Sequence, residues 1–369
     1  DNNSGDGIFT GEVQIDAGTV KVTNDMSAAD GFTINAGTLT VDDSALLHSE
    51  AFVDLDSSSA VFNVDTNISV PEMSGVAGSS VVVSTGNSLT LGAAAQDTID
   101  DNLEFTTFNG VMSGGGNLII AAEAGDPPGI VTFTGNNTFT GNTTINSGAF
   151  VVGGTHASAV TVNNTGIFGG DGTVNNDVTI NSGGELTAVD SSDPTDDGIQ
   201  TFNVVGDVNI ASGGILFAII DVTGGTATSD LINVTGGMTL SNGAVLDIAE
   251  KAGSVMEAGK EFTIASASSG ITNNGASINE DISGFSFEAS IVNNDLILTS
   301  MLQTEATWLV GDGNFSVESN WDNDPDGVQS DADDLVLVFK GDNTAGSHTV
   351  NADEAPYSSI GGIRFDNTT

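Results

Sequence analysis

The residues of this sequence best spaced to do chemistry lie in DNDPDGVQSDAD, 322–333. They follow D-x-D-x-D-G-x5-D, the spacing with which a loop wraps oxygen ligands around Ca²⁺. Asp322, Asp324 and Asp326 would supply hard carboxylate oxygens, Gly327 the sharp turn, Val328 a backbone carbonyl and Asp333 the last carboxylate. Against the metal stand an Asp where a longer Glu would bind with both oxygens, an inserted Pro325, and the lack of helical patterning on either side. A Ca²⁺ site and a plain loop leading into LVLVF are therefore both open, with the spacing as the one feature for the metal. A second acidic loop, DSSDPTDDG (190–198), lacks that spacing and reads as a solvated insertion.

The other reactive residue types are sparse. His48, His156 and His348 have no Cys or second His nearby, so neither a metal-ligand spacing nor a nucleophile–base pair is predicted from them. SGGGN (113–117) has no Lys-Ser/Thr after it and no helix to open, which makes it a turn between strands and not a phosphate cradle.

Composition narrows the partners. Fifty Asp and Glu against five Lys and Arg give a formal charge of -45. Such a field repels nucleic-acid phosphates and anionic lipid, so neither nucleic acid nor a membrane surface is an expected partner. Cations are, whether as a diffuse atmosphere around a solvated surface or at specific divalent sites. With no cysteine, no apolar run long enough to span a bilayer and no export signal, the sequence is expected to be a mature or excised extracellular segment, inserting in no membrane itself.

The chain that must position these residues is repetitive. QIDAGTVKV (14–22), TINAGTLTV (33–41), TINSGAFVV (144–152), TINSGGELTAV (179–189), NIASGGILFAI (209–219) and TLSNGAVLDI (239–248) share one plan. Each is an alternating strand, a polar turn with glycine, then another alternating strand. The turn glycines, Gly18, Gly37, Gly148, Gly183, Gly213 and Gly243, are too unevenly spaced for a strict tandem repeat but suit stacked coils with loops of different length. No unit carries a matched antiparallel partner, so each buries its apolar face on the next copy. Ile145, Phe150 and Val152 are predicted to point inward above Ile180 and Leu186, with Thr144, Asn146 and Val151 outward. Roughly 20 residues per coil predicts about 15 coils and a rod on the order of 70 Å over the first 300 residues. AEKAGSVMEAGK (249–260), the best helical stretch, is broken by glycines and reads as a loop.

Residues 108–154 carry a resemblance. Phe108, Gly110, Gly114, Gly116 and Leu118, then Phe133, Gly135, Asn137, Phe139, Gly141, Ile145, Gly148 and Gly154 match the hallmark pattern of the autotransporter-associated β-strand repeat family. The chain resembles that family most over 108–248 and less over 1–107. The resemblance implies an all-β right-handed parallel β-helix in large bacterial passenger proteins, secreted or displayed at the cell surface. It implies no activity. No outer-membrane barrel follows in these residues, and the acidity is extreme, so the export route is not carried over. After residue 303 the character changes. The stretch 306–339, with both tryptophans, resembles a segment that opens a further array in such proteins. Residues 1–303 are thus read as the β-helix and 304–369 as a Trp-containing β segment, the start of another array or an inter-subunit connector.

Parallel β-helices also serve glycan-cleaving enzymes, which need paired carboxylates about 5–9.5 Å apart. So many carboxylates create such pairs by chance, and Lys21, Lys251, Lys260, Lys340 and Arg364 are too scattered to neutralise an acidic sugar. The expected function is structural and non-enzymatic, a stiff extracellular rod stacking head to tail into a filament, with divalent cations relieving repulsion. An adhesin holding glycans along one side is the alternative, and a glycan-active enzyme comes third.

Overall fold

A computed structural model of the chain describes residues 11–23, 29–42, 51–92, 105–122, 129–192, 198–280, 282 and 285–302, together with the short strands Thr304–Trp308, Gly313–Asn314, Leu335–Lys340, Val350–Asn351 and Gly362–Asp366. It divides into two units. The first comprises Asp1–Ser254, Phe262–Asp281 and Ala289–Ile297; the second comprises Val255–Glu261, Ile282–Glu288 and Leu298–Thr369. No described residue is helical, and 251–260 is a loop, as its glycines predict.

The first unit is a parallel β-helix. Alternating Val, Ile, Phe and Thr favour extended backbone, and the polar turns fold each strand pair around a corner. One coil runs through Asn117–Ala121, Ile130–Phe133 and Asn136–Asn137, one strand on each of three faces. The next enters on Thr143–Val152, whose beginning and end lie on two different faces, and leaves through Thr155–His156. That strand bends at the corner and joins two faces into one 21-stranded sheet. The third face begins as a set of five strands and continues as a second set that starts at Asn136–Asn137. Between the two sets, Asn137 takes the place of a backbone acceptor, its Oδ1 receiving the Met112 N–H at 2.8 Å.

Register makes continuous columns of side chains. On the first face Phe150 pairs with Phe168, then Leu186, Leu216, Leu246 and Ile278. On the second, Ile120, Ile145, Val162, Ile180, Ile210 and Leu240 follow in turn. Apart from the terminal Ile278, every member is fully buried. Phe108, Phe133, Phe150, Phe168 and Phe202 form a ring stack with neighbouring centroids 5.1–5.8 Å apart. The predicted inward set, Ile145, Phe150 and Val152, is inward, and Thr144 and Asn146 face out. Val151 also faces out, yet it is buried. It packs with Ile130, Ala149, Ile167 and Val189, because the chain beyond Leu186 runs on alongside the previous coil, the Val189 N–H donating to the Gly170 carbonyl at 3.1 Å.

The described ladder of the first face has twelve strands, from Gly11–Ile15 to Ser277–Glu280, and spans on the order of 50 Å. Fifteen coils of about 20 residues do not fit, because coil length is not constant. Phe150 and Phe168 are 18 residues apart, Leu186 and Leu216 30, and Gly75 and Phe108 33. Longer excursions leave the ladder between rungs without disturbing its register. One of them is a true hairpin: Ile215–Thr223 turns at Gly224-Gly225, both at positive φ, and pairs antiparallel with Thr226–Ser229.

All six turn glycines predicted from the repeats have positive φ. Four of them share one corner with Gly275, and the non-glycine member of that row is Thr165, at φ 67°. A Cβ on Gly183 would collide with the Asn164 side-chain oxygen. Thr165 is exposed and β-branched, so left-handed backbone costs it about 1–2 kcal/mol, partly offset by what glycine loses in the unfolded chain. Thr165→Gly is expected to stabilise the fold by about 0.5–1 kcal/mol, read as a higher denaturation midpoint. A lower midpoint would mean that the threonine side chain contributes more than its backbone strain.

The second unit contains parallel pairs of the same kind. Thr304–Trp308 pairs with Leu335–Lys340 in the register Thr304 to Leu335, and Leu335–Lys340 pairs with Gly362–Asp366, Val336 opposite Gly362. Elsewhere in this unit Ser300 fastens a loop, its Oγ donating to the Glu257 carbonyl at 2.7 Å, and Lys260 pairs with Glu257 at 2.8 Å.

Candidate functional site

The loop of Asp322, Asp324, Asp326, Val328 and Asp333, singled out for Ca²⁺, lies outside the described residues, as do His48 and His348. Among the described residues no group of three or more His, Cys, Asp or Glu side chains is arranged to hold a metal ion. Of the second acidic loop, Asp190 is described, and its Oδ1 accepts the Ser192 N–H at 2.8 Å and the Ser192 hydroxyl at 2.6 Å. The glycines of 113–117 form the expected turn, Gly114 at φ 104° and the Gly116 N–H donating to the Val83 carbonyl at 2.9 Å.

His156 is where the structure departs from the sequence reading. It sits wholly inside the first unit at the end of Thr155–His156, with Nε2 2.9 Å from Thr143 Oγ1 and 3.1 Å from Ser158 Oγ. The two hydroxyls are 2.6 Å apart. A serine beside an imidazole is the geometry of a nucleophile and its base, a pair that no spacing in the chain predicts. Period-2 alternation does place His156 and Ser158 on one side of the chain, but Thr143 stands 13 residues before His156, where the same coil begins. All three side chains are 0–1% exposed, so they reach no solvent. The edges of Phe139 and Phe150 meet the imidazole with centroids at 5.1 and 5.3 Å, and Nδ1 has no hydrogen-bond partner. In this apolar surrounding burial pushes the imidazole down to about pH 3, so it is held neutral. The cluster is a polar knot in the core.

Two further carboxyls are perturbed near the first face, one on its outer side and one at the base of the hairpin. Glu185 occupies an otherwise apolar outward row, Ile130, Ala149, Ile167, Glu185, Ile215, Val245. Burial, and secondarily the charge of Asp247, pushes its carboxyl up to about 7. Asp247 lies two rungs on, beside the half-buried Phe217. Asp230 is buried at the hairpin base, where it accepts the Gln200 N–H at 2.8 Å and the Ile219 N–H at 2.9 Å. Burial raises it to about 6 against those two hydrogen bonds. A carboxyl poised near neutrality beside an ionised one is what acid–base chemistry on a glycan uses. Two rungs put the strands of Glu185 and Asp247 about 10 Å apart, and Asp247 stands two residues beyond the register partner of Glu185, so their backbones are farther apart than the about 5–9.5 Å such a pair uses.

Polar side chains elsewhere tie coil to coil. Asn146, Asn163 and Asn181 stack at one corner, each amide donating to the side-chain oxygen of the previous member at 2.9 Å. Asp177 accepts the Asp207 N–H and Asp207 the Gly237 N–H, both at 2.8 Å. Lys21 pairs with Asp42 at 2.6 Å. No described helix is long and apolar enough to cross a membrane. Compared with known proteins, the chain matches no family model and no curated protein.

Proposed function

We propose that this chain is an extracellular, bacterial cell-surface structural protein without catalytic activity, a β-solenoid segment whose stacked coils make a stiff spacer that joins end to end into a filament. What supports the reading most is the use the sequence makes of its side chains. The inward columns from Phe150 to Leu246 and from Ile120 to Leu240 are apolar throughout, and outward Asn and Asp groups bond to the next coil. The resemblance to autotransporter-associated β-strand repeats belongs to the same proposal. So does 304–369 as the start of a further array, supported by the parallel register of Thr304, Val336 and Gly362 with their partners. Ca²⁺ at Asp322–Asp333 would be a second-unit contribution.

The first-face strand Ser277–Glu280 has a partner on one side among the described pairings. There Glu280 continues the inward register of Ala218 and Ile248, and burial raises its carboxyl. An inward charge at an edge opposes further stacking, so growth at this edge needs Glu280 neutral or matched by a cation. Negative-stain electron microscopy and light scattering are expected to give monomers at pH 8 without divalent cations and filaments at pH 5 or with Ca²⁺. Glu280→Leu is expected to form filaments at pH 8. Monomers under every condition, including with that variant, would sink end-to-end assembly.

Half-buried aromatics on the outer side of the first face, Phe52 and Phe217, favour the second reading, an adhesin with ligands along its flank.

A further inference from the structure

Phe52, Asp54, Glu72, Ser74 and Thr106, from three successive coils of the first face, line a cavity of about 220 Å³. Its shape begins with a glycine. Gly31, Phe52 and Glu72 are register partners on adjacent rungs. A Cβ on Gly31 would strike Cγ, Cδ1 and Cε1 of the Phe52 ring, so the ring lies across the backbone of Gly31. Leaning that way, it leaves the neighbouring space toward Glu72 open. The Ser74 hydroxyl donates to Asp54 Oδ1 and fixes that carboxylate in the wall. Thr106 is buried, and Glu72 is exposed at the rim.

The chemistry of this lining selects among ligands. Two carboxylates, with no cationic side chain among the described lining residues, repel anions. The charge of Asp54, then burial, then a side-chain hydrogen bond with Asp54 and last the charge of Glu12 raise the carboxyl of Asp56, which marks a negative field beside the groove. A bare metal ion would use the carboxylates and leave the aromatic ring idle, and a neutral sugar would use the ring and leave the charge idle. A cation carried on an apolar body uses both, its charge facing Asp54 and Glu72 and its methyl or methylene groups lying on Phe52.

We propose that this groove binds a substituted ammonium ion, a quaternary or primary amine on a small apolar body. The groove lies on the flank of the solenoid and not at its edge, so this inference rests on neither assembly nor the identity of a filament.

The probe is choline, titrated into the whole chain by calorimetry and followed by saturation-transfer NMR, at about 150 mM salt so that long-range attraction is screened. The expected result is one saturable site. Phe52→Leu keeps apolar bulk and removes the aromatic face, and Glu72→Gln removes the rim charge. Each is expected to weaken binding about fivefold or more, with an unchanged denaturation midpoint. Gly31→Ala, which forces the ring out of its seat, is expected to weaken it by a steric route. Heat that never saturates, or that none of the three variants alters, would mean counterions gathering over an acidic surface and would overturn the proposal. Displacement of choline by equimolar Ca²⁺ would make the groove a metal site and overturn it too. N-acetylglucosamine binding there in place of choline would do the same in favour of a neutral glycan.

Discussion

Replacing Phe150 by alanine is expected to lower the unfolding free energy by about 3–5 kcal/mol, the range for deleting a fully buried aromatic ring. Phe150 is at the centre of the ring stack, 5.1 Å from Phe133, 5.8 Å from Phe168 and 5.3 Å from the His156 ring. Its removal empties a site bounded above and below by rungs that cannot both close on it. Because each coil of a solenoid is stabilised by its two neighbours, the loss weakens both interfaces and not one. Denaturant unfolding gives the magnitude. Amide hydrogen exchange gives the place, with faster exchange expected first in the rungs of Ile130–Phe133, Thr143–Val152 and Gly166–Gly170. Phe52→Ala, on the outer side, is the control and should cost far less. Equal losses from the two variants would refute an inner column as the main source of stability.

The second large effect is set by pH. His156 is held neutral down to about pH 3, whereas an unfolded-chain histidine titrates near 6.5. Between those values the unfolded chain binds a proton that the folded chain does not, so stability falls as pH falls through this window. From pH 7 to pH 4 the contribution is about 3 kcal/mol. The carboxyls of Glu185 and Asp230 work in the opposite sense. Raised to about 7 and about 6, they stay protonated in the fold where the unfolded chain has lost its proton, so their contribution is present at low pH and lost as pH rises through those values. Relief of the -45 charge on acidification adds to theirs. The measurement that isolates the imidazole is therefore the difference between wild type and His156→Leu across pH 4–8. In that variant the Thr143 and Ser158 hydroxyls, 2.6 Å apart, still satisfy each other. The variant is expected to gain about 3 kcal/mol on wild type at pH 4 relative to pH 7. Parallel stability curves would show that the imidazole is not buried neutral.

Much of this architecture could be read from the chain because it rests on short-range rules. A glycine at a left-handed corner has few substitutes, so Gly148, Gly183, Gly213 and Gly243 announce the corner, while Thr165 in the same row hides it. Alternation gives the inward set, since a slip of one residue would turn Phe150 and Ile145 outward together. Coil number was not legible, because the excursions between Gly75 and Phe108 or between Leu186 and Leu216 lengthen coils without leaving a mark on the strands. The buried His156 cluster and the Phe52 groove were hidden for a related reason. The first joins the start and the end of one coil and the second joins three coils, so both are made by residues apart in sequence that only the folded chain brings together. Val151 shows the limit of alternation, which gives the side a residue faces and not whether another part of the chain covers it.

The glycine corner also gives the solenoid a polarity along its axis. The Thr165 N–H donates to the Gly183 carbonyl at 2.9 Å, Gly183 to Gly213 at 2.7 Å, Gly213 to Gly243 at 2.6 Å and Gly243 to Gly275 at 3.2 Å. Every bond in this row points the same way, whereas hydrogen bonds on the faces alternate in direction. Aligned N–H and C=O groups add their dipoles as they do along a helix. The row is therefore positive toward Gly275 and negative toward Thr165. Two such units meeting with like ends together would set equal poles against each other, and meeting in sequence they would extend one continuous dipole.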